Sequence, residues 1–128
     1  MSAPIRLLVV DDEERIRRLL LEYLEDFEDV QARGAASAEE GLQSLAEWPA
    51  DLCVVDMRLP GMNGESFIQN AVKDGLCGSF ILHTGSVDLA LSPALRQLGL
   101  DDKDVFIKPA DMDRVLARIR EVLASRRG

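Results

Sequence analysis

The sequence predicts an open α/β fold: a five-stranded parallel sheet with helices packed on both faces. Three observations carry this expectation. Five short apolar runs recur with starts separated by roughly 21 to 28 residues. Helical patterns fill every gap between them, and strands joined through helices pair in parallel with right-handed crossovers. The runs LLVV, LCVV and FIL are continuous rather than alternating, as in strands covered on both faces.

The first strand is expected over Ile5–Val10. The helix after it carries Ile16, Leu19, Leu20, Tyr23, Leu24 and Phe27, a stripe at i, i+3, i+4, i+7, i+8, i+11. Val30–Gly34 is the weakest strand. The second helix opens on Ser37-Ala-Glu-Glu40, a capping-box pattern. Asp51–Asp56 forms the third strand, followed by the turn LPGMNG over residues 59–64 and a short helix built on Phe67, Ile68, Ala71 and Val72. Ser79–Thr84 is the fourth strand. The unit after it is the least regular and leaves two starts open: Val87, Leu91, Ala94, Leu95 and Leu98 keep helical spacing, whereas Ser92-Pro93 would supply a cap and first helical residue, and a helix beginning there would follow a longer loop from Gly85 to Leu91. Val105–Lys108 is the fifth strand, and Met112, Val115, Leu116, Ile119, Val122 and Leu123 stripe the last helix.

Composition bounds the function. A chain of 128 residues, 47% hydrophobic, suits one domain with a real core. The expected single domain is 1–128, its core about 5–123, with 124–128 a tail or the start of a linker. No apolar run approaches the ~18 residues of a membrane span. Acids arriving at position 11 leave no apolar middle for a signal peptide, so a cytoplasmic protein is expected. A net charge of −8 repels a phosphate backbone and argues against direct nucleic-acid binding. The terminal SRR reads as a solvated helix end. Cys53 and Cys77 make neither a disulfide framework nor a zinc spacing, and Cys53 reads as a small core residue. Trp48 and Pro49 read as packing and helix termination.

Ligands of open parallel sheets bind beyond the carboxyl ends of the strands. There the sequence places Asp11 and Asp12 (first strand), Asp56 (third), Thr84 (fourth) and Lys108 (fifth). Two like charges about 4 Å apart repel by roughly 4 kcal/mol at an effective dielectric of 20. Three crowded carboxylates beside one lysine therefore either take up protons or hold a hard cation. Magnesium fits, because it prefers oxygen ligands, uses few protein carboxylates and keeps room for phosphate oxygens. With the lysine it would favour an incoming phosphoryl group and leave one carboxylate to act as nucleophile. Asp56, alone at its strand end, is the candidate. Thr84 is a hydroxyl that would contact the phosphoryl group and record its presence.

Taken together, LLVVDDEERIRRLL, DLCVVDMRLPGMNG, FILHTGS and VFIKPAD resemble the four signature blocks of the receiver domain of two-component response regulators, in order, from Ile5 to about Leu123. The resemblance implies the flavodoxin-like strand order 2-1-3-4-5. It implies that Asp56 accepts the phosphoryl group, and that Asp12 ligates Mg2+ directly while Asp11 acts through water. Arg58 would offer its backbone carbonyl to the metal, Thr84 would be the switch hydroxyl, and Lys108 would contact phosphate across a cis Lys108–Pro109 bond. The donor would be a phosphohistidine on a sensor histidine kinase or phosphotransfer protein. The output would be altered docking on a downstream effector protein, as a monomer or a phosphorylation-dependent dimer, with slow self-dephosphorylation tuned by Arg58 and Ser86.

Departures from the pattern stand beside it. Val105 occupies the position where the family usually has an aromatic, and alternation points Phe106 to the other side of the strand. The segment from Thr84 to Lys108 is about two residues longer than expected. His83, the only histidine, is expected to face away from Thr84 as a packing residue. Glu13 and Glu14 read as complements to a helix dipole. Gly61 and Gly64 read as turn residues needing positive φ or close backbone approach. Two other functions compete. A magnesium phosphatase with an aspartyl nucleophile would need a second acid two residues on, where this chain has Arg58. A degenerate receiver acting as a plain binding module is opposed by the intact five-residue set. No output domain is expected after the last helix, leaving a stand-alone receiver or a fragment of a larger regulator or hybrid kinase.

Overall fold

The computed structural model describes residues 3–85 and 89–127. Five strands and five helices alternate: β1 (Ile5–Val10), α1 (Glu14–Glu25), β2 (Val30–Ala35), α2 (Ala38–Glu47), β3 (Leu52–Val55), α3 (Gly64–Lys73), β4 (Phe80–Thr84), α4 (Pro93–Gln97), β5 (Val105–Ile107) and α5 (Met112–Arg127). All pairings are parallel and the order is β2-β1-β3-β4-β5. The expected strands stand, each within one residue of its expected ends.

The sheet divides the apolar residues into two cores, because successive side chains of a strand leave on opposite faces. Leu8, Val10, Cys53, Val55, Phe80 and Leu82 meet α2, α3 and α4 through Leu45, Phe67, Ile68 and Leu95. Leu7, Val9, Leu52, Val54 and Ile81 meet α1 and α5 through Leu20, Leu24, Val115 and Ile119. This is why the central strands read as unbroken apolar runs. Burying each such side chain contributes about 1.5–3 kcal/mol, so the central strands fix the register on which the site depends.

Helix starts follow local chemistry. Ser37, Asn63 and Ser92 accept hydrogen bonds from the backbone N–H three residues on, capping α2, α3 and α4. At α2 the capping box is only half made: the Glu40 carboxylate accepts from Ala36 N–H rather than from Ser37. At α4 the helix starts at Pro93, as the Ser-Pro pair predicts, and Val87 of the longer stripe lies outside the described residues. The backbone of the SRR segment continues α5 as far as Arg127, a helix end as its sequence suggests. Leu19 departs from the α1 stripe: it is 54% exposed, on the flank of the helix beside the site. Trp48 closes α2, and the guanidinium groups of Arg6 and Arg33 lie over its ring, 5.3 and 4.6 Å from the ring centre.

Candidate functional site

The site is built from strand ends. Asp11 and Asp56 are held in place by their own backbone, Asp11 N–H donating to Ala35 carbonyl and Asp56 N–H to Val10 carbonyl. These bonds extend the sheet by one residue and bring both carboxylates to one edge. Lys108 N–H donates to Thr84 carbonyl at 2.8 Å, carrying the β5 end to the same edge. The Lys108–Pro109 peptide is cis. Thr84 ends β4 and is fully buried.

The acids do converge. One carboxylate oxygen each from Asp11, Asp12 and Asp56 lie within 4.8 Å of one another, Asp11 and Asp56 buried and Asp12 exposed. The Lys108 ammonium sits 2.9 Å from Asp11 Oδ2 and 3.2 Å from Asp56 Oδ2. It also lies 2.9 Å from Glu13 Oε1. Burial alone would lower the Lys108 pKa, but its close contacts with Asp11 and Glu13 and the charges of Asp11 and Asp56 outweigh it and hold the ammonium above its usual range. Glu13 is thus more than a dipole complement: it caps α1 without a side-chain cap bond and instead binds the lysine. The signal was the third acid of DDE, whose partner 95 residues away only the fold reveals.

Other bonds orient the carboxylates. Asp56 Oδ1 accepts from Arg58 N–H at 3.0 Å, and Asp11 Oδ1 accepts from Glu13 N–H at 2.9 Å. Arg17 Nη1 donates to the Asp11 carbonyl at 2.8 Å. Asp11 Oδ2 is buried, with no directed hydrogen bond; its contact with Lys108 is an ion pair. A buried carboxylate oxygen with unused acceptor capacity beside two further acids is a donor set that fits a hard divalent cation.

The turn after Asp56 uses its glycines as expected. Gly61 has φ +74, a conformation L side chains rarely adopt. Gly64 packs so closely that a Cβ would lie 2.8 Å from the Asp56 carbonyl oxygen and 2.8 Å from Met57 Cα. His83 is 5% exposed on the opposite face from Thr84, at the floor of an apolar groove of about 420 Å3 lined by Ile16, Leu19, Leu20, Ala110 and Met112. Burial, reinforced by Lys108 and opposed by Asp56 and Glu13, lowers its pKa to about 4, so the imidazole is neutral at neutral pH. Val105 packs against the core that holds Leu95 and Leu100, and Phe106 against the core of α1 and α5, the separation that alternation predicts. Ser86 lies outside the described residues.

A doubly wound parallel sheet that gathers three aspartates and a lysine at its strand ends carries an acidic edge whose chemistry suits a hard cation and an incoming phosphoryl group. Comparison with known proteins gives the family. The description of the response regulator receiver domain matches residues 7–120. The chain is 32% identical to a probable chemotaxis protein CheY of Rhizobium etli, over 98% of this chain and 97% of that one. It is 34% identical to the response regulator protein PilR of Pseudomonas aeruginosa, over 92% of this chain but only 25% of PilR. Among solved structures, a CheY-like receiver domain protein from Methanospirillum hungatei superposes with a TM-score of 0.80 at 30% identity, covering 96% of both chains. The chain belongs to the response regulator receiver family, the phosphoryl-accepting domains of two-component signalling. It spans nearly all of the first of these relatives and half or less of several others. Among the described residues no helix is long and apolar enough to cross a membrane.

Proposed function

We propose that Asp56 accepts a phosphoryl group from a phosphohistidine on a sensor histidine kinase or phosphotransfer protein, and that the aspartyl phosphate then switches docking on an effector. The observation that carries this reading is the Lys108 ammonium bridging the buried carboxylates of Asp11 and Asp56. Asp11, Asp12 and Asp56, with the Arg58 backbone carbonyl, would hold Mg2+, which when bound supplies positive charge to the phosphoryl oxygens. The chain's own residues do the rest. The Arg58 amide pins one oxygen of Asp56 and so orients the carboxylate toward the opening. An Asp56 oxygen attacks phosphorus, the phosphorus–nitrogen bond breaks and the histidine leaves with its electron pair. Lys108, held cationic, balances the negative charge that arrives. Thr84 would donate its hydroxyl to a phosphoryl oxygen.

The donor has to approach from beyond the strand ends, and the apolar groove beside Glu13 and Lys108 offers it a seat. An apolar helix face carrying the phosphohistidine fits that groove, with Leu19 already exposed on its wall. The reading extends to a single receiver domain over 1–128 working in the cytoplasm. Val105 lacks the bulk of an aromatic, and Phe106 is committed to the other core. We therefore expect the phosphorylation chemistry of the family with a different readout, and a rearrangement centred on residue 105 in the beryllofluoride–magnesium form would refute that.

Acetyl phosphate or phosphoramidate, with and without magnesium, tests the central claim by intact mass. An adduct of about 80 Da that needs magnesium and vanishes in Asp56→Asn is expected. Rapid phosphate release with no adduct would make the chain a phosphatase. No modification under either condition would leave a binding module.

A further inference from the structure

Away from the acidic edge, the two cysteines meet. The Sγ atoms of Cys53 and Cys77 are 3.3 Å apart although 24 residues separate them in sequence. Both are buried. Cys53 lies on β3, the strand that leads to Asp56, and Cys77 lies in the connection from α3 to β4, two residues after positive-φ Gly75. A disulfide bond is about 2.05 Å long, so closure needs a movement of little more than ~1 Å, and Cys77 lies outside any helix or strand. Cys77, 5% exposed, lines a cleft of about 480 Å3 together with Ala50, Asp51, Val72, Leu76 and Gly78.

We infer that Cys53 and Cys77 form an oxidisable dithiol, which a hydroperoxide entering by this cleft closes to an intrachain disulfide between β3 and the α3–β4 connection. In the first step the Cys77 sulfur attacks the outer peroxide oxygen. The O–O bond breaks, the alcohol or water leaves with the thiol proton, and Cys77 becomes a sulfenic acid. In the second step the Cys53 sulfur attacks the Cys77 sulfur, the S–O bond breaks, and the departing hydroxide takes the Cys53 proton to leave as water. Two thiols lose two electrons and the peroxide gains them. Burial holds the Cys53 thiol well above its ordinary pKa, so it enters the second step protonated and the departing hydroxide takes its proton; Cys77 meets the oxidant first because it, and not Cys53, lines the cleft.

The full-length chain treated with hydrogen peroxide is expected to lose about 2 Da as a monomer, and its titratable thiols after denaturation are expected to fall from two to none. In mixtures of reduced and oxidised glutathione, the equilibrium constant for closure should be at least about tenfold larger for the folded chain than for the same chain in urea, because the fold holds the sulfurs in contact. In Cys53→Ser, Cys77 should stop at a sulfenic acid that dimedone traps. Two thiols remaining after peroxide, a disulfide-linked dimer in place of the monomer, or equal constants in the folded and unfolded chain would each overturn the inference. The glutathione comparison uses the unmodified chain, so it decides the matter even if the serine variant fails to fold.

Discussion

Mild acidification should weaken this protein through one residue, its histidine. His83 is 5% exposed, and neither ring nitrogen has a hydrogen-bond partner. Its pKa is lowered to about 4, from burial first and then the Lys108 charge, against weaker opposing pulls from Asp56 and Glu13. In the unfolded chain it returns to the ordinary imidazole value of 6.5. Between these values the unfolded state binds a proton that the folded state refuses. Stability is therefore full above pH 6.5, falls as the pH drops below it, and stops falling for this reason below about pH 4. From pH 7 to pH 5 the loss amounts to about 2 kcal/mol, reduced to about 1 where water in the neighbouring groove screens the charge. For a domain of this size that is roughly 4–8 °C in Tm. Urea unfolding of the wild type and His83→Leu at both pH values isolates the effect, since other groups titrate in both proteins. The variant should lose about 1–2 kcal/mol less than the wild type on acidification. Equal losses would refute the reasoning, as would an imidazole proton resonance of the folded chain, unambiguous because there is one histidine, that titrates near pH 6.5.

Gly64→Ala should cost about 1–3 kcal/mol and slow adduct formation at Asp56, because the new Cβ meets backbone atoms of Asp56 and Met57 that cannot swing aside; the urea midpoint and the intact-mass time course read the two effects. Arg118→Met leaves the Asp104 carboxylate, 6% exposed and 2.8 Å from the guanidinium, without its cation and with only the Asp101 N–H to bond, and should lower stability by about 2–3 kcal/mol with an unchanged urea slope. Lys108→Met should tighten magnesium roughly tenfold by removing a competing cation, while acyl phosphate forms more slowly; calorimetric titration and the mass assay follow each. Arg58→Ala and Ser86→Ala should both change the decay rate of the phosphorylated protein, measured by loss of the adduct with time.

The residues of the site were legible because each ends a strand. Once LLVV, LCVV, FIL and VFI are seen as buried parallel strands, Asp11, Asp56, Thr84 and Lys108 have to share an edge, and the structure brings Asp11, Asp12, Asp56 and Lys108 together there. Gly61 and Gly64 were equally readable, since a tight turn has few chemical solutions. Glu13, Leu19 and Cys77 were not. A charge at a helix start looks like a dipole complement, a leucine at helical spacing looks like core, and an isolated cysteine looks inert.

What the sequence by itself determined is therefore everything that rests on local period and strand ends: the alternation of elements, the two-sided burial of the central strands and the acid–lysine edge. What only the tertiary structure decided are the pairings between distant side chains: Lys108 with Glu13, Cys53 with Cys77, Arg118 with Asp104, and His83 under the groove. The physical reason is that periodicity fixes which face a residue occupies, whereas contacts across α1, α5 and the α3–β4 connection depend on how whole elements pack, and no single segment carries that information.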